Sequence, residues 1–200
     1  MKYEIAVAAL AGMASAREVT LLGKMAKREV PQEHSHEAIV RAVQVSLQLN
    51  NPLEIQDSVF ALLGNKAAAE GAPNVKNLDC LQQIVADQAF SNAKEAGDVD
   101  GQANAILFRA LERNTGSVGL ASVLCNVAAV NPEIAAITQH QDPASKEAAG
   151  NADIELAVAV QLVLIGADPL LALQSGTFAP GEVSCTPSTS PRSPSRILQS

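Results

Sequence analysis

Aliphatic side chains recur at helical spacing through most of this 200-residue chain, and proline or glycine steps interrupt them. Near the start of this pattern, for example, Ile39, Val43 and Leu47 fall on one face of a helix. In an Asn-Pro or Asp-Pro step, the first residue can cap a helix and proline can take its first position. Such steps occur at residues 51–52, 131–132 and 168–169, and a fourth, at 142–143, is expected to break the chain. The pattern predicts an all-α fold, a single compact bundle of roughly six to eight short helices.

The bounds of these helices are predicted from the apolar runs and the residues that flank them. They cover residues 36–49, 53–63, about 78–95, about 103–111, 117–130, 132–139, 154–165 and 169–176. Gly64-Asn65 is expected to end the second helix and Gly97 the third, with a loop around Gly71 between them. Asp100 is expected to cap the fourth helix.

Two of these segments are apolar on nearly every side. Residues 117–130 carry few polar side chains, which predicts that this helix lies at the centre of the bundle. Residues 154–165 are rich in β-branched side chains and could instead form a buried strand. Their length and flanking caps favour a helix.

The first sixteen residues have the parts of a secretory signal peptide. Lys2 precedes an apolar run from Ile5 to Met13, and a small-x-small cleavage site ends at Ala16. The run is shorter than the ~20 apolar residues that cross a bilayer, so we expect secretion and no transmembrane segment. A buried N-terminal helix is the weaker alternative.

A dibasic pair, Lys27-Arg28, lies in the polar segment that follows. Kexin-type proteases of the secretory pathway cut after such pairs, which would make residues 17–28 a pro-segment. The pair is equally well interpreted as two solvated charges. The helical domain is expected to occupy residues 29–181.

Residues 182–200 differ in composition from the rest of the chain. From Val183 onward there are six serines, two threonines, three prolines and no acidic residue. This composition cannot form a core and predicts a disordered tail, in which serine and threonine beside proline are candidates for O-glycosylation. The alternative is an error in the gene structure, such as a translated intron.

Charge and aromatic content narrow the classes of partner. The chain has 14 basic and 21 acidic residues, a net charge of −7, which argues against binding to the phosphates of nucleic acids. Aromatic residues make up 2% of the sequence, too few for base-stacking surfaces or aromatic cages. Hydrophobic residues make up 48%, which is enough for a folded core.

Three cysteines remain once a signal peptide is removed: Cys80, Cys125 and Cys185. Pairing is expected in a secretory chain. A Cys80–Cys125 disulfide would close a loop of about 45 residues. In the alternative, Cys125 is a free thiol buried in the predicted helix over 117–130. Cys185 is left unpaired.

Two short acidic motifs contain side chains that can bind metal ions. Glu33-His34-Ser35-His36-Glu37 contains possible ligands, but no zinc motif has its spacing, and a solvated helix entry is the favoured interpretation. Asp98-Val99-Asp100-Gly101 lacks the later ligands of a calcium loop. We therefore predict no metal site and no cofactor.

A polar cluster is the remaining candidate for chemistry. Arg109, Glu112 and Arg113 share a helix face, where a local ion-pair stripe is the simplest interpretation. His140 precedes Gln141-Asp142 and could act as a base, although a polar loop histidine is the favoured interpretation. No nucleophile elbow, P-loop or dinucleotide-binding glycine motif accompanies them, so no catalytic residue is assigned.

Several short motifs resemble a family of small secreted or cell-wall-associated proteins of filamentous ascomycete fungi, over about residues 35–181. They are Cys80–Gln83, Asp87–Phe90, Gly97–Gly101, Arg109–Gly116, Asn131–Ile134, Gln139–Pro143 and Gly176–Gly181. The resemblance implies an extracellular location. It implies no activity, since none is established for that family, and the chain departs from the family pattern after Gly181.

Three functions are compatible with these features. The leading hypothesis is a secreted, non-catalytic helical protein at the cell wall, or at the interface with a host or substrate. The alternative is a binding protein for a small apolar ligand or lipid, since apolar helices can enclose a cavity. An enzyme using Arg109, Glu112 and His140 is the third and requires these side chains to meet in one cleft.

Overall fold

The computed structural model describes residues 35–177, which are 61% helical and contain no strand. The α-helices are α1 (Glu37–Leu49), α2 (Asn65–Gly71), α3 (Leu81–Ala96), α4 (Val99–Ala110), α5 (Pro132–Ala135) and α6 (Asn151–Leu164). The described residues also contain four 3-10 segments, of which the first three lie between α-helices and the fourth follows α6: η1 (Ser58–Leu62), η2 (Leu78–Cys80), η3 (Lys146–Gly150) and η4 (Pro169–Ser175). The predicted all-α bundle is confirmed.

The processing and tail predictions lie outside the described residues. They concern the signal peptide with its cleavage after Ala16, the Lys27-Arg28 site, the 182–200 tail and the unpaired Cys185. Within residues 35–177, no helix is both long and apolar enough to cross a bilayer.

A hairpin of α3 and α4 forms the centre of the fold, and α1 packs against both helices. Gly97 ends α3 in the left-handed conformation, with φ of 69°, as its position in the sequence predicted. The Asp98 side chain then accepts a hydrogen bond from the Gly101 amide and caps α4, so the predicted cap at Asp100 is wrong by two residues. Phe90 and Phe108, both fully buried, fill the space between the helices.

Asn92 of α3 ties the carboxyl end of α1 to the hairpin. Its Nδ2 donates to the carbonyl oxygens of Ser46, Leu47 and Asn50, at 2.8, 3.2 and 2.9 Å. The last carbonyls of a helix have no partner within the helix, so a buried amide from a neighbouring helix satisfies them. Asn92 thereby positions the chain as it leaves α1.

The helix predicted over residues 53–63 is shorter than expected and has a different cap. Asn51 folds the chain into a turn by bonding both Ile55 N and Ile55 O, and a 3-10 segment begins only after Asp57. Gly64 begins α2 instead of ending a helix, and α2 continues through Gly71, where a loop was predicted. A Cβ at Gly71 would lie 2.0 Å from the Phe60 ring, which explains why glycine is needed there.

The prediction of a central helix over residues 117–130 is wrong. This segment is an irregular loop, called here the apolar loop, and its large aliphatic side chains are at least half exposed. They are Val118, Leu120, Val123, Leu124, Val127 and Val130. Side chains from elsewhere in the fold bind several of its backbone groups, which removes the hydrogen bonding that a helix would need.

The last two elements agree with the sequence patterns. Residues 154–164 belong to α6 and Ile165 is its C-cap, so the strand alternative is excluded. Asp168 caps η4 by accepting from the Leu170 amide, with Pro169 at the first helical position.

The helix after Asn131-Pro132 ends at Ala135, four residues earlier than predicted. Only Val158 and Leu162 of α6 are fully buried.

Candidate functional site

An open cavity of about 850 Å³ lies between the start of α1, the segment 140–152 and η4. Its volume falls within the range typical of small-molecule sites. Its apolar lining comes from Ala38, Ile39, Pro143, Ala148, Ala152 and Leu173. Its polar lining comes from Ser35, His36, His140, Asn151, Glu155, Gln174, Gly176 and Thr177.

Two buried imidazoles form part of this lining. His36 and His140 are 4% and 2% exposed. His36 lies at the entry of α1 as predicted but is not solvated, and His140 lies in a loop as predicted but is buried. His36 Nε2 lies 2.9 Å from the Gly176 carbonyl oxygen, and His140 Nδ1 lies 2.6 Å from that of Ala110. Because a carbonyl can only accept, both nitrogens donate, and the second nitrogen of each neutral ring is an acceptor.

The environment of His140 keeps its ring neutral near pH 7. Burial lowers the pKa of His140 below 6.5, and the charge of a protonated His36 lowers it further. The backbone hydrogen bonds with Ala110 and Asn151 act in the opposite direction but do not outweigh burial. The cavity lining therefore includes an uncharged imidazole.

We expect His140→Asn to reduce the loss of stability in acid. Because the pKa of His140 is lowered on folding, the unfolded state binds more protons below about pH 6.5, and acidification favours unfolding. The cost is about 1.4 kcal/mol per unit of pKa lowering once the pH is below both values. Urea unfolding at pH 7.5 and 5.0 measures this, and equal acid sensitivity in variant and wild type would contradict it.

The predicted cluster of Arg109, Glu112, Arg113 and His140 is buried throughout but does not form one site. Of the four, only His140 lines the cavity, and Glu112 contacts the cavity residue Thr177 through its carboxylate. The two arginines bind groups elsewhere in the fold. All three charged residues of the predicted local ion-pair stripe are buried, and both arginines donate to uncharged oxygens of other residues.

Arg109 organises two glutamines that hold the apolar loop. Its Nη1 and Nη2 donate to the side-chain oxygens of Gln139 and Gln83, at 3.0 and 3.4 Å. The amide nitrogens of these glutamines then donate to Val123 O and Val127 O, at 2.8 and 2.7 Å. We call this arrangement the Arg109 relay. It binds the loop backbone on both sides of Cys125.

Arg113 supports the same region from a second direction. Its Nη1 donates to Asp79 O at 3.1 Å and, more weakly, to Val123 O at 3.5 Å. Its Nη2 donates to Asn65 Oδ1 at 3.0 Å and Leu78 O at 3.2 Å. Burial lowers the pKa of Arg113, and the nearby Asp79 carboxylate raises it. Burial and the charge of Arg113 lower the pKa of Arg109 to about 10.

Asp87 binds the end of the loop, and Gln141 binds it at a point nearer its start. The Asp87 carboxylate accepts from Val130 N at 2.7 Å and from Asn131 N at 2.9 Å. Gln141 Oε1 accepts from Ser122 N at 2.7 Å. Sequence reasoning assigned no role to these side chains, although Gln83, Asp87 and Gln141 lie in the motifs that carry the family resemblance. The available signal was the presence of polar residues, such as Gln83 and Asp87, along the apolar pattern of α3.

Cys80 and Cys125 are at disulfide distance, with an S–S separation of 2.05 Å, as predicted. The bond joins η2 to the middle of the apolar loop, between the carbonyls that the Arg109 relay holds. Cys125 therefore lies in a loop and not inside a helix. The described residues contain no group of three or more potential metal ligands, and Asp98 serves as a helix cap.

The chain was compared with protein families, curated proteins and solved structures. Neither a protein family, nor a curated protein, nor a solved structure matches the chain.

Proposed function

We propose that this chain is a secreted helical protein that acts outside the cell, free or at the fungal cell wall, by binding and not by catalysis. Its ligand is a small, largely apolar molecule with a hydrogen-bond donor at one end. The cavity beside α1, α6 and η4 is the binding site. The observation that carries the proposal is the combination of this cavity with a buried, uncharged imidazole in its lining.

The distribution of polar side chains supports binding over catalysis. Arg109 and Arg113 use their guanidinium groups on glutamine and backbone oxygens of the protein itself. A catalytic pair must meet within hydrogen-bond reach of a substrate, and these residues do not line the cavity with His140. An uncharged acceptor next to aliphatic walls suits recognition of a hydroxyl on an apolar molecule.

The Cys80–Cys125 pair supports an extracellular location. Structural disulfides persist in oxidising compartments and are rare in the cytosol. The signal-peptide pattern that ends at Ala16 points to the same compartment.

Ala152→Trp is expected to block the cavity and weaken ligand binding by at least about tenfold. Ala152 is an exposed residue of α6 that lines the cavity, so an indole there occupies cavity space without entering the core. The probe is N-phenyl-1-naphthylamine, a neutral apolar fluorophore with one N–H donor. Fluorescence titration of protein recovered from the medium of a secreting host measures its dissociation constant.

Ala69→Trp is the matched control, because Ala69 is an exposed alanine of α2 outside the cavity lining. It is expected to bind the probe as the wild type does. Equal binding by Ala152→Trp and wild type, or no saturable binding by the wild type, would contradict the proposed function.

A further inference from the structure

Helix α6 has two polar residues in the line of side chains that faces the interior. Val158 and Leu162 are the fully buried residues of this line. Glu155 lies three positions before Val158, and Asn151 lies four positions before Glu155, so all four share one side of the helix. Glu155 and Asn151 also line the cavity. The inward side of α6 therefore changes from aliphatic to polar where it reaches the cavity.

The fold accounts for Asn151 and for both imidazoles of the lining. Asn151 Oδ1 accepts a hydrogen bond from Gln141 N at 2.9 Å, and Asn151 Nδ2 donates to Gln141 O at 2.8 Å. His36 and His140 are bonded to backbone carbonyl oxygens. These side chains hold the walls of the cavity together, so their polarity needs no ligand to explain it.

Glu155 has no such role. Its carboxylate forms no hydrogen bond or ion pair with another residue of the described range 35–177. The residues three and four positions away along α6, where a helix places ion-pair partners, are asparagine, alanine and valine. The lining residues Ser35 and Gln174 are uncharged and exposed, whereas Glu155 is half-buried. A charged group at an inward position with no partner in the protein points to a partner in the ligand.

The charges around the cavity favour a positively charged ligand group over a negative one. Among the described residues, those that line the cavity include no lysine or arginine. Segment 140–155, which bounds the cavity, contains four acidic residues and a single basic one, Lys146, which lies outside the lining. The amino-terminal end of α6 attracts negative charge, but Asp153 already occupies its first turn, and Glu155 lies in the second. A cation in the cavity is therefore attracted, and an anion is repelled.

We propose that the ligand of this cavity is a small apolar amine whose protonated nitrogen binds the Glu155 carboxylate. The proposal rests on the proposed binding function and adds the chemical class of the ligand. The N–H groups of an ammonium donate to the carboxylate, and such a charge-assisted hydrogen bond is about twice as strong as one between neutral groups. The apolar body of the ligand then contacts aliphatic lining residues such as Ile39, Ala148 and Leu173.

The test compares three probes that share a decyl chain and differ in the polar group: decylammonium, 1-decanol and decanoate. Isothermal titration calorimetry of each probe with the full secreted protein, below the concentration at which micelles form, gives the dissociation constants. The wild type is expected to bind decylammonium about tenfold more tightly than 1-decanol, because a hydrogen bond between charged groups replaces a weaker one. Decanoate is expected to bind most weakly, because the Glu155 carboxylate repels it.

Glu155→Gln is expected to remove the preference for the cation. Its affinity for decylammonium is expected to fall to within about threefold of that for 1-decanol, while its affinity for 1-decanol stays at the wild-type level. The unchanged affinity for the neutral probe shows that the variant keeps its fold and its cavity. Glu155→Lys is expected to reverse the order, with decanoate bound more tightly than decylammonium.

Glu147→Gln is the matched control, because it removes the same charge from an exposed residue of η3 outside the cavity lining. It is expected to keep the preference for decylammonium. A loss of preference equal to that of Glu155→Gln would overturn the proposal, as would equal binding of decylammonium and 1-decanol by the wild type. Either result leaves the proposed binding function standing, because the neutral probe still binds. A wild type that binds none of the three probes would overturn both.

Discussion

Replacing Cys80 and Cys125 together by alanine is expected to lower the free energy of unfolding by about 4 kcal/mol. The two residues are 45 positions apart, and cross-linking them restricts the unfolded chain by an amount that grows with the logarithm of this separation. The double variant also leaves no free thiol at either position. Urea unfolding under non-reducing conditions measures the effect. The slopes of the transitions of variant and wild type are compared to check for two-state behaviour.

Cys185→Ala is the control for removal of a thiol, and it is expected to leave the free energy of unfolding within about 0.5 kcal/mol of the wild type. A loss below 1 kcal/mol in the double variant would contradict the prediction. It would mean that the side-chain hydrogen bonds to the apolar loop restrain the same residues without help from the covalent bond.

The parts of the fold that sequence reasoning predicted correctly depend on interactions between near neighbours. The end of α3 follows from Gly97, and η4 follows from Asp168-Pro169, because each of these residues acts within a few positions of itself. The apolar pattern of α1 likewise reports its buried face, with Val43 and Leu47 fully buried. Capping and periodicity are local properties, so one sequence is enough to recognise them.

The apolar loop could not be predicted in this way, because its conformation depends on distant residues. Val123 O and Val127 O are bound by Gln139 and Gln83, which are 16 and 44 positions away. Helical periodicity carries no information about such distant partners. Without them, an aliphatic run cannot be assigned to one type of secondary structure. In the apolar loop, the backbone is turned towards the polar side chains that bind it, and the aliphatic side chains are therefore left exposed.

The candidate site was only partly predictable for a similar reason. His140 was noted in the sequence as a possible base. Its pKa is lowered by burial, and that burial depends on how distant segments of the chain pack around the ring. His36 bonds a carbonyl 140 positions away. Sequence patterns identified the residue types that could carry chemistry. The fold determined which of them share a cavity and which hold the backbone.

Arg109→Met is expected to destabilise the protein by about 2–4 kcal/mol, while the apolar loop loses protection against amide exchange. Methionine keeps much of the side-chain volume but removes both donors, so Gln139 Oε1 and Gln83 Oε1 lose their guanidinium partner in the interior. Each unsatisfied buried acceptor costs about 1–3 kcal/mol. Chemical unfolding gives the global effect, and hydrogen–deuterium exchange over residues 117–130 gives the local one.

The opposing effect is the removal of a cation that burial destabilises, as the lowered pKa of Arg109 shows. We expect the two lost hydrogen bonds to outweigh this gain, because both glutamines also depend on Arg109 for the orientation of the amides that hold the loop. Arg41→Met, which removes an exposed arginine paired with Glu37, is expected to cost at most about 0.5 kcal/mol. A stability of Arg109→Met equal to or above the wild type would show that desolvation of the charge dominates, and that the relay orders the loop at a net cost to the fold.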